Sequence, residues 1–428
     1  MNPISSFHKG MAGWMAVTGF LFVFGTGMAA AAPATHETEQ DLAGLPALEM
    51  AERALVDTLY YNFDPWFPRF ERSIQQLEAR PKTLPTQMEL LRFYFYMAGL
   101  HGELTHVLSF TSEFSIEKVK KDFFYYSGKA QALAETLLEN PKLSQADRAD
   151  AYYFLGLSEG YRALLEYGEG HLLSALIDGL RADNHLEDAL ELDPGHADAH
   201  VGLGVYRYGN TRLGGLGNFI MQWGQDLRLV GLRHIENALE KQIMSRPLAI
   251  KTLIWFYISE QINPDNADLP DTHPLSPYVA RSRTLYLMDQ YERLYFREPP
   301  EGFIGNKGLA MMKAIQFVMD RDYARALEQF EKNLKICDHL IRVRKFQLNP
   351  KYLETVKAGI KFCKLMMAAA SIAGGPDSKA CVLVRDQIDF IENGGSMIEY
   401  ESSKIRGEIQ DVFYHQLKNL SSRLNCLS

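Results

Sequence analysis

The chain has 428 residues and a formal net charge of −8, from 45 Lys and Arg against 53 Asp and Glu. A nucleic-acid binder needs a basic footprint to exchange for counterions, so this balance argues against that class. Hydrophobic residues make up 46% of the chain, enough for a large core, which excludes disorder as the default state.

Lys9 is the one formal charge before Glu37, and an apolar stretch from Met11 to Ala32 follows it and ends in small residues. A positive start, an apolar middle and an A-x-A finish are the parts of a secretory signal peptide over residues 1–34, cleaved within Ala31–Ala34. The alternative is an uncleaved N-terminal membrane anchor. The expectation is a periplasmic or secreted protein with no stable membrane insertion after cleavage.

Residues 35–145 read as an N-terminal helical region. A helix over 54–77 breaks at Asp64-Pro65, and apolar periodicity predicts further helices over 86–100 and 125–141. The next stretch, "LRADNHLEDALELDP" (180–194), places Ala182, Leu186, Ala189 and Leu190 on one helical face. Pro194 stops the helix, Gly195 allows a tight reversal, and "HADAHVGLGVYRYG" (196–209) restarts one. This is the hinge between two antiparallel helices.

The hinge recurs. "LEDALE" at 186–191 returns as "IENALE" at 235–240 and as "FEKNLK" at 330–335, and Leu-Gly at 155–156 returns at 203–204. Steps of 48 and 49 residues signal stacked helical units, none of which can bury its apolar face alone. Residues 146–261 and 278–350 are read as such repeats. The proline-rich stretch 262–277 is a loop between them, and 351–428 is a C-terminal helical cap. Within the cap, "ACVLV" (380–384) is taken as helix, because a single strand without a partner is unstable. Cys337, Cys363, Cys381 and Cys426 form no C-x-x-C pair, so disulfides and buried thiols stand as equal readings.

Gly156, Ala182, Leu186, Ala189, Gly204, Ala238, Ala326 and Phe330 stand at the intervals of the tetratricopeptide repeat, which the chain resembles. The resemblance implies an all-α solenoid of antiparallel helix pairs, with those eight residues packing the units together. The units are larger than the family's own, with four extra helical turns or an inserted helix between Gly156 and Ala182 and again after Gly204. In this they are similar to poorly characterised exported bacterial repeat proteins and to the inclusion-body-clearance group. In the family, alternate first-helix positions line a concave groove. Here those positions are Asp150, Tyr153, Leu157 and Tyr161 in one unit, and Asp198, Val201, Val205 and Tyr208 in the next. The Lys/Asn clamp of members that grip acidic C-terminal tails is absent from them, which counts against an acidic peptide as ligand. Asn333 stands where the pattern has Ala.

No catalytic residue, cofactor or metal is expected. "GLSEG" (156–160) matches G-x-S-x-G, but a nucleophile elbow needs a strand before its serine, and Ser158 follows a helical pattern. "GNTRLGGLG" (209–217) lacks the lysine and strand of a phosphate loop. His196 and His200 lie at a helix start with no third ligand placed, and read as a surface pair. The aromatic runs at 59–70, 93–96, 123–126 and 205–209 suit inter-helix packing first, and "IRVRK" (341–345) a solvated basic helix face. The function expected is a non-enzymatic scaffold that binds a protein or peptide of the cell envelope in a concave helical groove. The alternatives are a small-molecule-binding accessory of envelope transport and a polysaccharide-acting enzyme on an α/α toroid.

Overall fold

The computed structural model describes residues 47–107, 116–168, 171–213, 224–241, 243, 245–295, 306–346, 348, 350–369, 378–398 and 403–426. The expected signal peptide and the glycines at 214–217 lie outside them. Among the described residues the regular structure is fifteen α-helices and one short 3-10 turn, with no strand. The chain divides into two compact units, Met1–Leu253 with Tyr291–Glu298, and Ile254–Gln290 with Pro299–Ser428. Consecutive helices pack in chain order within each unit, the arrangement of an α-solenoid.

The first unit holds α1 (Ala47–Leu59), α2 (Trp66–Glu78), α3 (Leu84–Val107), α4 (Ile116–Leu138), α5 (Gln145–Gly168), α6 (Leu172–Leu192), α7 (Ala197–Leu213) and α8 (Arg228–Leu239). The start of α9 (Arg246–Gln261) and the end of α10 (Pro277–Tyr295) also belong to it. The break before Pro65 is real: Tyr61 takes φ +66° there, and the Trp66 indole N–H donates to Asp57 at 2.9 Å, tying the start of α2 to α1. Aromatic rings fill the space behind it. Phe70 meets Phe93 at 5.8 Å and Tyr96 at 6.2 Å, and Phe95 meets Phe154 at 5.0 Å.

Between Gly156 and Ala182 the additional residues lengthen both helices of the hairpin, α5 to 24 residues and α6 to 21, and no helix is inserted there. At the hinge after α6, the Gly195 amide donates to the Asp193 carboxylate at 2.8 Å and the His196 amide to the Asp193 carbonyl at 2.9 Å. Asp193 therefore shapes the turn that Pro194 forces.

The second unit continues through α11 (Lys307–Met319), α12 (Tyr323–Arg342), α13 (Pro350–Ala368), α14 (Lys379–Glu392) and α15 (Ser403–Arg423). In the proline-rich stretch, the fully buried Asn266 donates to the Glu260 carbonyl at 2.9 Å and to its carboxylate at 2.6 Å. Asn333 is also fully buried and satisfied. It donates to the Lys307 carbonyl at 3.0 Å and accepts from the Tyr352 hydroxyl at 2.9 Å, bridging α11, α12 and α13. An alanine there would leave those two partners unmatched, which gives the departure from the repeat pattern a physical reason. Residues 380–384 lie in α14, whose first turn is capped by Ser378 accepting from the Cys381 amide at 3.2 Å.

Cys381 and Cys426 form a disulfide across 45 residues, while Cys337 and Cys363 are buried thiols. Closing a loop of that length contributes about 2–4 kcal/mol by restricting the unfolded chain. Reduction is expected to lower the urea midpoint of the second unit accordingly. An unchanged midpoint after complete reduction contradicts the pairing.

Candidate functional site

Of the eight residues expected to wall a groove, all but the half-buried Asp150 are closed to solvent. Tyr153, Val201 and Tyr208 have no exposed surface, and Leu157, Tyr161 and Val205 are below 5%. The reason is the neighbour that each row meets. Along α5, Asp150 pairs with Arg92 at 2.6 Å, the Tyr153 ring lies 6.3 Å from Phe95, and the Tyr161 hydroxyl donates to Glu103 at 3.4 Å. All three partners sit on α3, the first helix of the preceding pair, so this row is a seam and not an open wall.

The two aspartates act as joints between units. The Asp150 carboxylate lies 3.3 Å from His196 Nε2, just before α7. His196 Nδ1 accepts from the Ala199 amide at 3.1 Å, so Nε2 carries the proton and donates to Asp150. Asp198 does the same one unit later, accepting from the Ser245 amide and hydroxyl at 3.0 Å each, just before α9. The steps are 48 residues for the aspartates and 49 for their partners. Burial opposes ionisation of Asp150, but the hydrogen bonds from His196 and Arg92 win and hold its carboxyl below the usual range. His196 is therefore a buried structural group with a raised pKa, set by Asp150 against the cost of burial, and not one of a surface pair.

The packing faces repeat at the same steps. A Cβ on Gly156 would meet the Ala182 carbonyl at 3.0 Å and Leu186 Cγ at 3.2 Å; one on Gly204 would meet the Gly231 carbonyl at 2.6 Å and Ile235 Cγ1 at 2.7 Å. Ala182, Leu186, Ala189, Ala238, Ala326 and Phe330 are all buried.

Beside these faces runs a polar ladder. In the first hairpin, His185 stacks on Tyr152 with centroids 5.8 Å apart, and its Nδ1 lies 2.6 Å from Glu159. At the equivalent positions of the next hairpin, His234 stacks on His200 at 5.0 Å, and its Nε2 lies 3.1 Å from Arg207. Glu159 and Arg207 are 48 residues apart, His185 and His234 are 49. Equivalent histidines thus face opposite charges. Burial lowers both. For His185 the Glu159 bond and charge reverse it, raising the pKa, whereas for His234 Arg207 and His200 add to it, giving about 4.

Hydrogen bonding fixes the tautomers of the second rung. Arg207 donates to Glu187 at 2.6 Å and to His234 Nε2. His234 Nδ1–H then donates to His200 Nδ1 at 2.8 Å, and His200 Nε2–H to the Pro194 carbonyl at 3.0 Å. Every bond is made only when both rings are neutral. Next to this rung, burial and Glu187 push the Asp183 carboxyl up to about 7, with Arg207 opposing them, and its Oδ1 has no hydrogen-bond partner among the described residues. Asp183 is thus a carboxyl of this cluster held well above the usual carboxylate range, a property enriched at functional sites.

A folded-state pKa below the unfolded value near 6.5 means that His234 contributes stability above pH 6.5, lost as the pH falls toward 4. After allowance for solvent screening of this half-buried ring, the loss is on the order of 1–2 kcal/mol. His185 and His196, with raised pKa values, contribute in the opposite sense, fully below pH 6.5 and less as the pH rises through their folded values. The expected outcome of Arg207→Gln is therefore a His234 pKa that climbs from about 4 toward 6.5 in an NMR titration. An unmoved resonance would mean that Arg207 does not face the ring.

Ser158 lies within α5, buried, with helix on both sides, so the strand of a nucleophile elbow is missing. Among the described residues, no group of three or more His, Cys, Asp or Glu is placed to hold a metal ion. Sequence reasoning missed Glu159, Asp183, His185, Arg207 and His234. Aligning the two units on their Leu-Gly pairs, 48 residues apart, superposes Glu159 on Arg207, whereas His185 meets His234 only at the 49-residue step of "LEDALE" and "IENALE". No protein-family model, no curated protein and no solved structure matches the chain.

Proposed function

We propose that the protein is an exported, non-enzymatic interaction scaffold of the tetratricopeptide-like class that holds a protein or peptide of the cell envelope. The observation that carries this reading is the repetition of joints and packing faces at 48- and 49-residue steps, since stacked hairpins of this kind serve as extended docking surfaces. The buried tyrosine rows move the docking surface elsewhere in the first unit. Leu173 and Ile177, one turn apart on α6, are 72% and 42% exposed and offer an apolar ridge. The Cys381–Cys426 disulfide supports export, because such bonds persist in oxidising compartments. Among the described residues, no helix is long and apolar enough to cross a membrane.

The test places a photo-crosslinking amino acid at Leu173 or Ile177 in cells, with Lys142 as an exposed control. The expected result is one envelope protein joined at the first two positions and not at the third. No adduct at either position, together with turnover of a glycan panel by the purified chain, overturns the reading in favour of a polysaccharide enzyme.

A further inference from the structure

Between residues 328 and 364 the chain carries nine Lys and Arg against four Asp and Glu, although the whole chain is net negative. The excess lies on α12 and α13, which pack on each other, a Cβ on Gly359 falling 2.5 Å from the Phe330 ring. Glu331 on α12 and Lys364 on α13 form an ion pair at 3.2 Å, which puts their two exposed rows on the same side of the helix pair. The link between the helices is short, so the rows run antiparallel. One turn on from that pair, Lys335 of α12 comes level with Lys361 of α13.

Lys332, Lys335, Lys357 and Lys361 are all exposed and form no ion pair among the described residues. Glu328, Glu331 and Asp338 share α12 with these lysines and Glu354 shares α13, so the face keeps a net positive excess of nine against four, and a net field of one sign is the footprint of an oppositely charged partner. Just past the end of α12 stands Val343, 61% exposed and flanked in sequence by Arg342, Arg344 and Lys345. An apolar side chain in a basic setting is the composition of an interfacial anchor.

We propose that this α12–α13 face docks on an anionic lipid surface. The choice of lipid over an acidic protein rests on the head groups. The four unpaired cations are all lysines, flexible point charges suited to a plane of phosphates, whereas carboxylates of a folded partner are best gripped by the arginine fork. Docking does not depend on the protein partner proposed above, so failure here leaves the crosslinking result untouched.

The experiment is flotation of the full chain with vesicles of phosphatidylcholine mixed with phosphatidylglycerol, against phosphatidylcholine alone. The expected result is binding to the mixed vesicles alone, weakening as salt rises. Each removed cation is expected to reduce partitioning about fivefold. The triple variant Lys335→Gln, Lys357→Gln, Lys361→Gln therefore loses about a hundredfold. A triple variant elsewhere, Arg80→Gln, Lys82→Gln, Lys142→Gln, has the same change in net charge and loses less than about threefold, the change expected when the removed cations lie off the docking face. All six side chains are exposed, and unchanged circular dichroism verifies that the variants fold. Equal binding to both vesicle types, equal loss in the two triples, or binding to a poly-glutamate peptide without binding to vesicles overturns the proposal.

Discussion

Ala189→Asp is expected to unfold the first unit, or to lower its stability by about 3–5 kcal/mol, the cost of leaving an ionised carboxylate buried without a partner. Ala189 has no exposed surface and shares its helical face with Ala182 and Leu186, so the new carboxylate meets apolar packing. Thermal unfolding followed by circular dichroism reads the effect. Ala189→Gly separates charge from mere substitution, since it costs only about 0.5–1 kcal/mol through helix propensity. A melting temperature unchanged by the aspartate would place Ala189 on the surface and displace the register of the whole hairpin.

The second large effect is expected at the crossing of α7 and α8. A Cβ on Gly231 falls on the Gly204 carbonyl and lies 2.7 Å from the Tyr208 amide nitrogen and 2.8 Å from Tyr208 Cβ. These are backbone or near-backbone atoms, so the helices must part to admit it. The expected cost of Gly231→Ala is about 3 kcal/mol, at the upper end of overpacking penalties. Gly156→Ala meets its neighbours at 3.0 Å and beyond and should cost less, while Gly128→Ala meets nothing within 4 Å and should stabilise by about 0.5–1 kcal/mol. Urea unfolding of the three variants tests the order, and a Gly231 variant as stable as the Gly128 one contradicts the close crossing.

The hinge at Asp193-Pro194 and the packing faces were legible because their causes are local. Proline stops a helix whatever surrounds it, and a 3.6-residue period names a buried face without naming its neighbour. The tyrosine rows show where that reasoning ends. Their spacing placed Tyr153 and Tyr161 on one face of a helix, but what covers that face is α3, whose Arg92, Phe95 and Glu103 lie 58 residues away from their partners on average and carry no local mark of the pairing. The polar ladder was hidden for a different reason. His185 and His234 are equivalent in space, yet Glu159 has become Arg207, so a comparison by residue type breaks at the position that sets the two pKa values apart.

The repeated joint is tested most directly by double-mutant cycles on Asp150 with His196 and on Asp198 with Ser245, each truncated to alanine. Expected are coupling energies of about 1–2 kcal/mol for both matched pairs and values within about 0.5 kcal/mol of zero for Asp150 with Ser245. No coupling in either matched pair, or equal coupling in the mismatched one, would contradict two units joined in the same way.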